Sequence, residues 1–168
     1  MKRASIIIRT YNEAKYLPEL LQQVKSQALG DYELETIVVD SGSTDGTQEI
    51  ANEYGCRLVA IRKEEFTFGR SLNIGCAAAT GDVLVFISGH CIPQNSDWLI
   101  NLIAPIVDGT VSYSYGRQIG NEISKYSECQ LLKKYFPEKS LIPQTGFFCN
   151  NANSAISQKI WKEFKFDE

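Results

Sequence analysis

The chain has 168 residues, 43% of them hydrophobic and 22% charged, with 17 basic and 20 acidic residues and a net charge of −3. That length supports one domain with a real core, since about 70% of the unfolded surface is buried at this size, and the mixed, slightly acidic charge argues against a nucleic-acid partner, which wants a basic surface. No apolar run reaches the roughly 20 residues that span a bilayer, the stretch Ser5–Ile8 is too short for a signal peptide, and the five scattered cysteines (Cys56, Cys76, Cys91, Cys129, Cys149) lack metal-type spacing and read as buried, reduced thiols of a cytoplasmic protein.

Ala4–Arg9 reads as the first strand. Thr10-Tyr11-Asn12-Glu13 matches a capping box, in which Thr10 and Glu13 satisfy each other's backbone donors. Leu17, Leu20, Leu21 and Val24 then form a helical stripe, with Pro18 tolerated in its first turn. Thr36–Val39 is an uncharged, β-branched run that ends at Asp40, suiting a strand covered on both faces. Ser41–Gly46 are turn formers, and Thr47, Ile50, Ala51 and Tyr54 recur at helical spacing until Gly55. Arg57–Ile61 is a third strand and Phe68–Thr80 a helix with small residues for close packing. Val83–Ile87, the most apolar run, is the expected central strand, and it stops at Ser88-Gly89-His90-Cys91.

Ser96–Val107 is helical, with Trp98, Leu99, Leu102 and Ile103 inward. The βαβαβαβα order to this point predicts an α/β fold, a parallel sheet with helices on both faces. Beyond it, Val111–Gln118 alternates as an edge strand, Glu122–Tyr135 is helical, Pro137–Cys149 irregular and Ser154–Phe164 helical again. No linker or repeat divides the chain, so residues 1–168 are read as one domain, with a first half at 1–108 and a second at 109–168.

Asp40 stands at the carboxyl end of a buried strand and faces a helix N-terminus, the place where open α/β sheets bind ligands. Arg70 and Asn73 are one helical turn apart and can point at one ligand. The segment after the first strand, Arg9 to Ala14, has no glycine. This excludes a dinucleotide-dependent oxidoreductase, which needs G-x-G-x-x-G there; a sugar nucleotidyltransferase also wants a glycine-rich loop.

Three blocks, Ile6–Glu13, Val39–Thr47 and Arg70–Asp82, together with the strand Val83–Ile87 and with Asn150–Ser154 before a helix holding Trp161, resemble the family 2 nucleotide-sugar glycosyltransferases of the GT-A fold. The resemblance covers essentially the whole chain. It implies a Rossmann-like, mostly parallel sheet and an inverting transfer of a sugar from a nucleoside-diphosphate sugar, UDP being the commonest carrier, to an acceptor hydroxyl. It implies that Asp40, with Ser41, accepts from the base imide, that Thr10, Tyr11 and Asn12 flank the base, and that Glu13 binds ribose. Arg70 and Asn73 would lie beside the diphosphate, and Asn150–Asn153 near the acceptor. The structural alternatives are a cap for Glu13 or Asp45, a strand-end turn for Asp40, a solvated helix face for Arg70, and a turn and helix N-cap for the asparagines.

The sequence departs from the family pattern in two places. Where the family carries an Asp-x-Asp-like group for Mg²⁺ or Mn²⁺, this chain has Ser88-Gly89-His90. Three readings stay open: His90 ligates Mn²⁺ or another transition ion, His90 neutralises diphosphate as a cation, or metal is dispensable. The family's catalytic base follows a segment like Phe166-Asp167-Glu168, so the base is expected beyond Glu168 and the chain is expected to be a truncated piece, inactive alone. The resemblance also implies a saccharide or lipid-linked acceptor, polysaccharide or glycolipid assembly at the cytoplasmic face of a membrane, and peripheral membrane association. The aromatic-rich region Val111–Phe148 is the expected contact surface of a homodimer. The alternative is a non-catalytic module that binds nucleotide sugar or pairs with another subunit.

Overall fold

The computed structural model describes residues 2–146 and 148–168. The elements are β1 (Lys2–Thr10), α1 (Leu17–Lys25), β2 (Tyr32–Asp40), α2 (Thr47–Glu53), β3 (Arg57–Ala60), a single 3-10 turn (Lys63–Glu65), α3 (Phe68–Ala78), β4 (Val83–Ser88), α4 (Trp98–Val107), β5 (Tyr113–Tyr115), α5 (Tyr126–Tyr135), β6 (Asn153–Ser157) and α6 (Gln158–Glu163). They build a six-stranded sheet in the order β3-β2-β1-β4-β6-β5. The first four strands run parallel, and β6 is antiparallel to both β4 and β5. The α/β, mostly parallel expectation holds, with β1 and β4 in the middle.

Ile6, Ile7, Ile8, Leu84, Val85 and Phe86 are fully buried because helices cover both faces of these strands. Alternation divides them. Ile6, Ile8, Val85 and Ile87 pack with the inward stripe of α1 and with Leu99, Leu102 and Ile103 of α4. Ile7, Phe86 and Leu84 pack on the other side with Leu72 and Cys76 of α3 and Trp161 of α6.

Four expectations are corrected. Ser154–Phe164 is not one helix: Asn153–Ser157 is a strand wedged between β4 and β5, and only Gln158–Glu163 is helical. The helix expected from Glu122 starts at Tyr126, where the Glu128 carboxylate accepts from the Lys125 amide (2.9 Å). The capping box read at Thr10 and Glu13 does not form, because α1 starts at Leu17 and both side chains go to distant partners. Cys149 is exposed, so the five thiols are not all buried. The edge strand after α4 is real but short, Tyr113–Tyr115. No helix among the described residues is long and apolar enough to cross a membrane.

Candidate functional site

The strand order runs outward from β1 to β2 and β3, then restarts on the other side of β1 with β4. The two connections leave in opposite directions and open a crevice at the carboxyl ends of β1 and β4. Most of the polar residues singled out in the sequence gather here.

Asp40, the last residue of β2, is fully buried. Its Oδ1 accepts from the Gly42 amide (3.1 Å), the Ser43 amide (2.9 Å) and Gln48 Nε2 (2.6 Å). Its Oδ2 accepts from Thr10 Oγ1 (2.8 Å) and from the Ser43 hydroxyl. Burial pushes the carboxyl's pKa up, but the hydrogen bonds from Ser43, Thr10 and Gln48 outweigh it and hold it below the usual carboxylate value. A carboxylate has about four lone-pair sites, and here they are taken. Asp40 is thus the anchor of the crevice floor, with no free acceptor face for a base imide. Ser41, beside it, is also buried and donates its amide to the Thr10 carbonyl (3.0 Å).

The loops after β1 and β2 are stitched together by side chains. Asn12 adopts φ 56°, a left-handed conformation that asparagine tolerates. From there its amide donates to Ser43 Oγ (2.8 Å) and its side-chain oxygen accepts from the Thr44 amide (2.9 Å). The Glu13 amide donates to Thr47 Oγ1 (2.8 Å) and the Ala14 amide to Asp45 Oδ2 (3.0 Å). Asp45 also takes the Thr47 amide (3.1 Å), which braces the turn before α2; the N-cap of that helix is Gly46, with no side-chain cap, so the capping alternative for Asp45 does not hold. Tyr11 is left at the rim, 44% exposed, with its hydroxyl 2.8 Å from Lys63 Nζ.

Across the crevice, Gly89 donates its amide to the Arg9 carbonyl (3.1 Å). A Cβ there would lie 2.9 Å from Glu13 Cγ and 3.1 Å from Thr10 Cγ2, so only glycine lets the chain after β4 press this close to β1. Ser88 closes the other side through its amide to the Ala152 carbonyl (3.2 Å). The next residue, His90, places Nδ1 2.8 Å from Glu13 Oε1. A carboxylate only accepts, so the proton of a neutral ring sits on Nδ1 and the Nε2 lone pair is free. Carboxylate-oriented imidazoles of this kind are common metal ligands. Among the described residues no group of three or more His, Cys, Asp or Glu side chains could enclose a cation. A cation here fits only with one imidazole nitrogen from the protein and the rest of its ligands from a bound anion and water, a donor set that suits a transition ion better than Mg²⁺.

Arg70 lies in the first turn of α3, its amide held by Thr67 Oγ1 (3.0 Å). Asn73 is turned elsewhere. It is buried; its Oδ1 accepts from Trp161 Nε1 (3.0 Å) and the Phe166 amide (3.1 Å), and its Nδ2 donates to the Phe166 carbonyl (2.8 Å) and Glu168 Oε1 (3.1 Å). That uses its whole hydrogen-bonding capacity, so the expected pairing of Asn73 with Arg70 on one ligand is corrected: Asn73 fastens the segment after α6. Asn150–Asn153 are likewise engaged internally. Asn150 Oδ1 accepts from Gln118 Nε2 (2.6 Å) and the Ala152 amide (2.8 Å), Asn151 Oδ1 from the Tyr113 hydroxyl (2.8 Å), and Asn153 Oδ1 from Trp98 Nε1 (2.9 Å). Their turn reading holds and their helix N-cap reading does not, since a strand follows. Ser43, Thr47 and Gln48 were missed as positioning residues; the run of hydroxyls after Asp40 was the available signal.

A mostly parallel sheet with buried central strands and polar side chains gathered at its switch point defines an open α/β domain with a candidate ligand site there. Residues 5–164 match the family described as Glycosyl transferase family 2. Over 172 aligned residues the chain is 30% identical to the O-antigen chain rhamnosyltransferase RfbN of Salmonella typhimurium, covering 96% of this chain and 54% of that protein. It is 33% identical over 122 residues to the glycosyltransferase AglE of Haloferax volcanii, covering 66% and 40%. Among solved structures, the mannosyltransferase PcManGT of Pyrobaculum calidifontis, in complex with GDP-Man and Mn²⁺, superposes with a TM-score of 0.72 at 21% identity, covering 98% of this chain and 47% of that one. S. aureus TarS 1-349 in complex with UDP does so with a TM-score of 0.73 at 22% identity, covering 97% and 48%. The chain belongs to glycosyl transferase family 2 and has the GT-A fold. It spans about half the length of the relatives it matches.

Proposed function

We propose that this chain forms the donor-binding domain of an inverting glycosyltransferase. The donor is a nucleoside-diphosphate sugar, with UDP as the first choice, and the sugar passes to an acceptor hydroxyl in polysaccharide or glycolipid synthesis. The observation that carries the reading is the Glu13–His90 pair at the switch point of a family 2 fold. A cation held by Nε2 of His90 would meet a diphosphate bound there, with Arg70 in the first turn of α3 as a cationic group of the protein itself. The exposed Tyr11 ring offers a flat surface to the base. Asp40 works indirectly, by fixing Thr10 and the turn after β2 that carries Gly42 and Ser43, so that the rim needs no rearrangement on binding.

A transition ion bound to His90 Nε2 would neutralise charge on the departing diphosphate. The Mn²⁺ of PcManGT and the UDP of TarS, named with those structures, support this choice of ligands. The residues of this chain contribute binding and orientation: Glu13 sets the His90 ring, and Gly89 keeps it against β1. Calorimetric titration with UDP, GDP and their sugars, each with and without Mn²⁺, tests the reading. Micromolar binding of one diphosphate nucleotide is expected; binding of none would overturn it. Binding without sugar transfer by the full-length protein would favour the non-catalytic module.

A further inference from the structure

Arg9, the penultimate residue of β1, has no assigned role in the reading above. Its Cα is in register with Val39 of β2 and Ser88 of β4, so it sits at the floor of the same crevice. Ile8 packs on the α1 and α4 side and Ile7 on the α3 side. Alternation therefore sends Arg9 out on the α3 side, where its guanidinium lies over the Phe68 ring, 5.2 Å from the centroid. Phe68 is 70% exposed, so the pair lines an open rim and not a sealed core.

Arg3, Arg62 and Arg117 each pair with a glutamate, and Arg57 donates to the Ala78 carbonyl. Among the described residues no carboxylate pairs with Arg9. Burial lowers its pKa. A partly desolvated cation stacked on one face keeps the edge of its fork for an anion, which it can bind through two oxygens.

We propose that Arg9 is an anion-binding residue of the donor crevice, gripping the diphosphate from the α3 side while His90 meets it from the loop after β4. This rests on the donor reading. It adds that part of the diphosphate's charge is balanced by a fixed guanidinium, so that some affinity persists without a divalent ion.

The test is titration of the full chain with inorganic pyrophosphate, UDP and uridine, in EDTA and in Mn²⁺, for the native protein, Arg9→Gln and Arg9→Lys. Arg9→Gln is expected to weaken pyrophosphate and UDP at least tenfold in both buffers and to change uridine less than twofold. Arg9→Lys, which keeps the charge and loses the fork, is expected to fall between. Thermal melts of both variants check that they fold; if Arg9→Gln does not, the Lys variant alone must still show a selective loss for the phosphate ligands. Equal pyrophosphate and UDP affinities in native and variant proteins would overturn the Arg9 role while leaving the donor reading intact. Failure of the native chain to bind pyrophosphate, UDP and GDP would overturn both.

Discussion

His90 Nδ1 lies 2.8 Å from Glu13 Oε1, joining the loop after β4 to the loop after β1 across the switch point of the sheet. The bond orders the imidazole and directs Nε2 away from the protein's own carboxylate. The side chains differ in exposure, 58% for His90 and 16% for Glu13, so the carboxylate is the fixed partner and the ring is the one a ligand can reach.

The pair makes a prediction about order of importance. His90→Ala should abolish the Mn²⁺-dependent part of UDP or GDP binding. Glu13→Gln keeps a hydrogen-bond acceptor but loses the charge behind the ring. Removing such an outer partner commonly costs about 10–100-fold in metal affinity. Mn²⁺ titration followed by electron paramagnetic resonance in the presence of UDP reads both. An unchanged Mn²⁺ affinity in His90→Ala would remove the imidazole from the cation's ligand set.

Asp40 makes stability depend on pH. Its carboxyl pKa is depressed in the folded state, so between the folded and unfolded values the unfolded chain binds more protons. The contribution is full above the unfolded aspartate pKa of about 3.9 and fades as pH falls through the lower folded value. Urea midpoints should therefore decline in acid, and Asp40→Asn should flatten that decline. Asp40→Ala leaves the donors of Thr10, Ser43 and Gln48 without their acceptor, at a cost of about 3 kcal/mol at neutral pH.

Gly89→Ala adds a methyl 2.9 Å from Glu13 Cγ and 3.2 Å from the Arg9 carbonyl. Backbone does not yield as a side-chain end does, so the loop after β4 must lift. Strain of about 1–3 kcal/mol is expected, with a loss of diphosphate-nucleotide affinity larger than the loss of stability alone would give. Melting temperature and calorimetry on the same variant separate the two.

Asn73 provides the contrast. Asn73→Ala should free the segment around Phe166 and the Trp161 indole N–H, lowering stability by about 2 kcal/mol. Amide exchange over residues 160–168 should quicken and Trp161 emission should shift. Donor affinity should stay within twofold. A selective loss of donor binding with unchanged stability would return Asn73 to the crevice.

The parallel half of the fold was legible because its signals are local and redundant. Val83–Ile87 and Thr36–Val39 are runs that only two-sided burial explains, and the helical stripes between them fix the alternation. Asn153–Ser157 was not legible. It is a short segment flowing into a helix, and it becomes a strand because β4 and β5 supply its hydrogen-bond partners from both sides. The local pattern at Thr10 and Glu13 satisfied the rule for a cap, yet Thr10 spends its hydroxyl on Asp40 and Glu13 its carboxylate on His90.

The sequence by itself determined the order of elements as far as α4, the buried parallel strands and the family, because periodicity and motif are properties of neighbouring residues. Only the tertiary structure decided which polar side chains face the crevice. Asp40 and Asn73 have the right residue types at the expected positions, but partners distant in the chain consume their hydrogen bonds. Arg9, near the end of the first strand, pairs with no carboxylate among the described residues. Whether a group is spent or free is a sum over neighbours brought together by folding, and no window of sequence contains that sum.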